Sequence, residues 1–263
     1  MKSITSSANP LYKELKQLAT SAQARRKAGR TLLDGIHLTE AYLQHGGKPV
    51  LCVASEAALT HAEAAAVIRQ CQATAVQCVV LPDGQYQALS QVEHGVGLLF
   101  VIETPRAATP AGLTQSAVLL DNLQDPGNLG SILRSAAAAG IKQIYCSEGS
   151  ASAWSPKVLR AGMGAHFILD IFEGVDLAAL MATTQIPVFA TSSYATQSIY
   201  QADLSVSLAW LFGHEGQGVA EDLLQLASQQ VVIPHRGQME SLNVAAAAAV
   251  CFFEQLRQTL AQA

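Results

Sequence analysis

Two hydrophobic rhythms alternate along this chain. Near the start, "NPLYKELKQLATSAQARRKAG" sets Leu11, Leu15 and Leu18 on one face at helical spacing, with Asn9 as an N-cap and Pro10 at the first helical position. "TLLDGIHLTEAYLQHGG" reads as a short strand, a turn at Asp34-Gly35 and a helix closed by glycines. "PVLCVAS", "QCVVLP" and "GVGLLFVIE" are apolar runs of strand length, and "ALTHAEAAAVIRQC" between the first two is helical. "ETPRAATPAGLTQ" then breaks the pattern with two prolines and small residues, as a linker does.

Beyond the linker the chain repeats strand, loop, helix. Strand "AVLLD" leads to helix "LGSILRSAAAAG", and strand "KQIYCSE" to helical "SPKVLRAGMGAHF". "PVFATSS", "LAWLFG" and "QVVIPH" read as three more strands, and "SLNVAAAAAVCFFEQLRQTL" as a closing helix. Apolar strands alternating with helices predict an α/β protein whose C-terminal part is a parallel sheet covered on both faces. The expected organisation is a small α/β domain over 1–103, a linker over 104–112 and the parallel-sheet domain over 113–263. Ligands of such sheets bind in the loops beyond the strands' carboxyl ends, so those loops hold the residues of interest.

Composition narrows the class. Half of the 263 residues are hydrophobic, yet the longest apolar run, "AAAAAVCFF", is about half of the roughly 18 residues that span a bilayer. The first ten residues carry no apolar signal region, and the five cysteines lack C-x-x-C spacing. A cytoplasmic protein with reduced thiols, no membrane association and no metal is the expectation. The net charge of −4 hides an asymmetry: residues 1–48 hold eight Lys/Arg and three acids, the remainder eight and seventeen. A basic block containing Arg25, Arg26 and Lys27 on an acidic body suggests a polyanion partner, although a solvated helix face has the same composition.

Several chemistries are excluded by their missing motifs. No G-x-G-x-x-G follows a strand, and there is no Walker loop, no H-E-x-x-H and no G-x-S-x-G. Three polar strand exits remain. The first is "DNLQDPGNLGSILR", with turn residues Asp125-Pro126-Gly127-Asn128, then Gly130 and Arg134 one helical turn beyond it. The second is "LFGHEGQGV", three glycines around Glu215. The third is "IPHRGQMESLNVA", where Ser241 stands at the expected N-cap of the last helix and Asn243 in its first turn. Singly, each reads as an ordinary turn or cap; together they suggest one composite site.

These three stretches are similar, in order, to the motifs of the SpoU (TrmH-like) branch of the SPOUT class of RNA methyltransferases. Asn122, Asp125, Pro126, Asn128, Gly130, Ile132 and Arg134 match the first motif, and Gly213, Glu215 and Gly216 the second. Ile233, Pro234, Gly237, Ser241, Leu242, Asn243 and Val244 match the third; Lys157, Arg160, Ala161, Gly164 and Ala165 lie in a further family-like segment. The resemblance implies a deep trefoil knot, an exception to the rule that chains do not thread loops. It also implies S-adenosylmethionine bound largely by backbone, a homodimer whose sites borrow residues from the partner, and methyl transfer to a ribose 2′-hydroxyl of rRNA or tRNA. Residues 1–103 more loosely resemble the ribosomal-protein-like substrate-binding domain that such enzymes carry, which tilts the expectation toward rRNA.

Carried over residue by residue, the catalytic set is Arg134, Asn128, Glu215, Ser241 and Asn243. The cofactor set is Thr191, Gly213, Glu215, Ile233, Leu242 and Asn243, and Arg25, Arg26, Lys27, Lys157 and Arg160 are the expected RNA contacts. The sulfonium is already activated, so the resemblance implies no metal. His214, His235 and Ala245 depart from the family pattern. Two other readings stay open: an RNA-binding or ribosome-assembly factor without catalysis, and a base methyltransferase.

Overall fold

The computed structural model describes every residue except Glu93, Arg106, Met239, Glu240 and Ala263. The chain forms two compact units: residues 1–105 with 154–167, and residues 106–153 with 168–263. Between Thr104 and Ser116 the described residues form neither helix nor strand, and Arg106 of the expected linker lies outside them.

The first unit runs β1 (Lys2–Ser3), α1 (Pro10–Thr20), α2 (Ala22–Ala28), β2 (Arg30–Asp34), α3 (Ile36–Gln44), β3 (Leu51–Ser55), α4 (Ala62–Ala73), β4 (Gln77–Leu81), α5 (Asp83–Gln87) and β5 (Leu98–Glu103). Its sheet has the order β1-β4-β3-β5-β2; β1, β4 and β3 are parallel, and β5 runs antiparallel to both β3 and β2. Leu15 and Leu18 bury their helical face against Val53, Val79 and Leu99. Asn9 caps α1 by accepting from Leu11 N at 2.9 Å, with Pro10 at the first position.

One expectation fails here. The basic helix read as continuous from residue 10 breaks at Ser21, whose backbone is extended and whose Oγ accepts from Ala24 N at 3.1 Å. Serine competes for backbone donors and starts a new helix instead of continuing the old one. The basic block therefore lies on α2, which ends at Gly29 in the left-handed region, φ 62°.

The second unit runs β6 (Ala117–Leu120), α6 (Pro126–Ala138), β7 (Gln143–Ser147), then, after α7 (Pro156–Gly162), β8 (Asp170–Val175), α8 (Leu177–Ala182), β9 (Val188–Thr191), β10 (Gln197–Ser198), β11 (Ala209–Phe212), α9 (Glu221–Leu226), β12 (Gln229–Val232) and α10 (Val244–Leu260). Helix α7 itself belongs to the first unit, where it packs on β2; Thr31 Oγ1 donates to the Trp154 carbonyl at 2.7 Å. All pairings in the seven-stranded sheet are parallel, in the order β10-β12-β9-β11-β6-β7-β8. Strands β8 and β10 carry no strong apolar signal because they are the sheet's two edges: β10 has two residues, and β8 fully buries only Phe172 and Val175. The fold is α/β with a parallel sheet, as the alternation predicts.

Because the strands are parallel, every carboxyl end opens on one edge. The order β12-β9-β11-β6 seats four of these ends side by side, although their loops are far apart in sequence. Phe212 pairs with Leu120 in register, and Asp121 N donates to the Phe212 carbonyl at 2.8 Å, so the exits of β6 and β11 are adjacent.

Candidate active site

The exit of β6 is built by local polar bonds. Asn122 holds φ 49°, a left-handed conformation that asparagine tolerates, and its N–H donates to Ser147 Oγ at 2.8 Å. Asp125 is the N-cap of α6; its Oδ1 accepts from Asn128 N at 2.7 Å, and Pro126 takes the first helical position. The helix thus starts earlier than the apolar run suggests, which puts Asn128 in its first turn rather than in a preceding loop.

At the exit of β11, Gly213 leaves no room for a side chain: a Cβ there would strike the Gly218 backbone. His214 and Gly218 exchange backbone hydrogen bonds of 2.9 and 2.8 Å, closing a tight turn with Glu215 in it. The Glu215 carboxylate reaches the first motif, accepting from Asp125 N at 3.0 Å, Gln124 N at 3.3 Å and Asn128 Nδ2 at 3.1 Å. Partial burial pushes its pKa up; the Asn128 amide and the backbone N–H groups outweigh that, and the carboxyl lies below the usual value.

The third exit corrects the cap assignment. Helix α10 begins at Val244 and its N-cap is Asn243, not Ser241; Asn243 Oδ1 accepts from Ala245 N at 2.9 Å and Ala246 N at 3.3 Å. The other half of the same amide, Nδ2, donates to Asn128 Oδ1 at 2.9 Å. One chain of side-chain bonds, Glu215–Asn128–Asn243, therefore ties all three motifs together. An amide suits the central position because Asn128 must donate to a carboxylate and accept from another amide.

Beside this junction lies a cavity of about 730 Å³, within the size range of small-molecule sites. Its lining includes Thr191, Gly213, Glu215, Ile233, Ser241 and Leu242, so five of the six expected cofactor residues border it. Asn243 does not; it stands between the lining residues Leu242 and Val244. His214 and His235 border it as well, as do Ser192, Ser193 and Tyr194 after β9. Those last three were not singled out in the sequence, where a serine pair after an apolar strand was the available signal. Aliphatic surface from Ile233 and Leu242 beside backbone and hydroxyl groups at Thr191, Gly213 and Ser241 suits a ligand with a flat apolar ring and polar sugar and amino-acid ends.

Arg134 lies elsewhere on α6. Its side chain is exposed, does not line the cavity, and has no hydrogen-bond or ion-pair partner among the described residues. The expected RNA contacts belong to the first unit. Arg25 Nη1 donates to the Leu18 carbonyl at 2.8 Å and so tethers the end of α1, whereas Arg26 and Lys27 are exposed. Arg160 Nη1 donates to the Gln91 carbonyl at 2.6 Å, and Lys157 is exposed.

Residues 115–253 match the SpoU rRNA Methylase family. An uncharacterized tRNA/rRNA methyltransferase of Synechocystis sp. is 33% identical, over 97% of this chain and 94% of its own. The 23S rRNA (guanosine(2553)-2′-O)-methyltransferase RlmP of Bacillus subtilis is 30% identical over 96% and 98%. A crystal structure of an RNA 2′-O ribose methyltransferase superposes with a TM-score of 0.80 at 30% identity, covering 98% of this chain and 99% of that one. With three motif loops joined at one sheet edge beside a ligand-sized cavity, and a family match across more than half its length, this chain belongs to the SpoU rRNA methylase family.

Proposed function

We propose that this protein transfers a methyl group from S-adenosylmethionine to the 2′-hydroxyl of a ribose in ribosomal RNA, with a guanosine of the large-subunit RNA as the favoured target. The observation that carries this reading is the Glu215–Asn128–Asn243 junction at the rim of the cavity. Two relatives matched over 98% of their own length are named as 23S rRNA guanosine 2′-O-methyltransferases.

The cofactor would be held by Thr191, Gly213, Ile233 and Leu242, largely through backbone, and when bound it supplies an already activated methyl group. The chain's own task is then orientation. Ser241 and Asn243 place the ribose, and Asn128 and Glu215 keep the three loops in one arrangement. Holding the reactants in line is worth up to about 7–11 kcal/mol in favourable cases. Arg134 binds the phosphate beside the target ribose and lowers the cost of charge developing on the 2′-oxygen; a guanidinium stays charged and so acts as an electrostatic clamp rather than a base.

Arg134 is exposed on α6 without a partner among the described residues, which suits a side chain that meets RNA or a second subunit. Helix α10 exposes Phe253 (47%) and Leu260 (66%), seven residues apart on one face. We assign that face to a homodimer in which each site borrows residues from the other chain. The exits of β9, β11 and β12 are read as the crossings of a trefoil knot. The first unit is read as the RNA-recruiting domain, with Arg26, Lys27 and Lys157 on phosphates, in a cytoplasmic enzyme whose five cysteines are free and buried.

Incubating the protein with ribosomal RNA and methyl-labelled cofactor, then digesting to nucleosides, tests the assignment. Labelled 2′-O-methylguanosine is expected. Label on a base, or no label, would overturn it.

A further inference from the structure

The second-motif histidine is assigned neither to the cofactor nor to the ribose, yet its ring is not idle. His214 Nδ1 accepts from Gly216 N at 2.9 Å and from Gln217 N at 3.2 Å. The same residue closes the base of the turn through its backbone pair with Gly218. Two glycines in a five-residue turn leave many competing backbone conformations, and Glu215 is carried by that turn. A ring nitrogen that takes both free N–H groups selects one of them.

We propose that His214 is a positioning residue: its Nδ1 braces the 214–218 turn from inside and so keeps the Glu215 carboxylate aimed at Asn128 and at the Asp125 and Gln124 N–H groups. The brace and the aim are separable in the geometry. Among the described residues the His214 ring bonds Gly216 and Gln217 within its own turn, while the Glu215 carboxylate reaches out of the turn to the exit of β6. Gly213 completes the device, since only a residue without Cβ lets the Gly218 backbone close over it. Asparagine can do the same work, because its Oδ1 sits on Cγ as Nδ1 does and accepts from the same N–H groups. Alanine cannot.

This inference rests on the methyltransferase reading for its kinetic arm only. The experiment compares His214→Ala and His214→Asn in the full-length protein. Amide exchange at Gly216 and Gln217, followed by NMR without RNA or cofactor, reads the brace; kcat and KM for ribosomal RNA read its consequence. In H214A both amides should exchange about tenfold faster, and kcat should fall about tenfold with KM within about twofold, the scale of one lost hydrogen bond. H214N should match the wild type in both. Unchanged exchange in H214A, or an H214N variant as poor as H214A, would overturn the proposal. Should H214A fail to fold, H214N decides alone: wild-type amide exchange and turnover are expected, and a tenfold change in either would overturn the proposal. Absence of methyl transfer in the wild type would sink the proposed function and leave the exchange result standing.

Discussion

The Asn243 amide donates to Asn128 Oδ1 at 2.9 Å across 115 residues of sequence, and Asn128 passes the link on to Glu215 at 3.1 Å. Nothing in either neighbourhood alone calls for an asparagine at both positions. The bond makes the last helix and the first motif report on one another.

That geometry makes Asn128→Asp informative, since it replaces an amide donor with a carboxylate facing Glu215. Like charges then meet where a hydrogen bond stood. Methyl transfer should fall at least tenfold, and urea unfolding should reveal a loss of about 1 kcal/mol or more. Wild-type turnover in N128D would separate the junction from catalysis.

The Glu215 carboxyl lies below its ordinary pKa, because its hydrogen bonds outweigh partial burial. A group whose pKa is lower folded than unfolded stabilises the fold above the unfolded value and loses that contribution as pH falls through the folded one. The junction should therefore be insensitive to pH between 6 and 8 and weaken only in acid, below the usual carboxylate range. Glu215→Gln should flatten the acid limb of a stability-against-pH curve; a curve identical to the wild type would contradict this.

Arg134 offers the reverse case, an exposed side chain with no partner among the described residues. Arg134→Lys should leave stability to urea unfolding unchanged within about 0.5 kcal/mol. Its kcat should nevertheless fall by about a hundredfold, because a lysine cannot present the planar fork to phosphate. Near-normal turnover would remove that fork from the mechanism.

The α10 face carrying Phe253 and Leu260 predicts the oligomeric state. Phe253→Glu with Leu260→Glu should turn a dimer into a monomer in light scattering, and activity should be lost with it. A monomeric wild type would dismiss the partner-shared site.

The basic helix predicts a salt dependence. Replacing Arg26 and Lys27 with alanine should weaken RNA binding and reduce the slope of log affinity against log salt by about 0.7 per lost phosphate contact with single strands. Arg25→Ala should also lower stability, because its guanidinium holds the Leu18 carbonyl. An unaltered slope would take α2 out of the RNA interface.

Much of this molecule is legible in one dimension. Leu11, Leu15 and Leu18 announce α1, Asn9 and Pro10 mark its start, and the apolar runs at 117–120 and 209–212 are central strands. Ser21 is the local signal for the break between α1 and α2: a serine among helix formers can restart a helix. Edge strands β8 and β10 escape notice because a strand paired on one side needs no continuous apolar run. Asn243 is legible only in part, since its cap is local but its second bond, to Asn128, is not.

By itself, then, the sequence determined the α/β class, the polar strand exits and their kinship, because periodicity, turn chemistry and residue spacing act over a few neighbours. Only the tertiary structure decided that β12, β9, β11 and β6 stand in a row, that residues 154–167 join the first unit, and that Glu215 closes on Asn128. Strand order and long-range hydrogen bonds follow from burying whole faces of sheets and helices together. That is a property of the packed chain, and no short stretch of it carries the information.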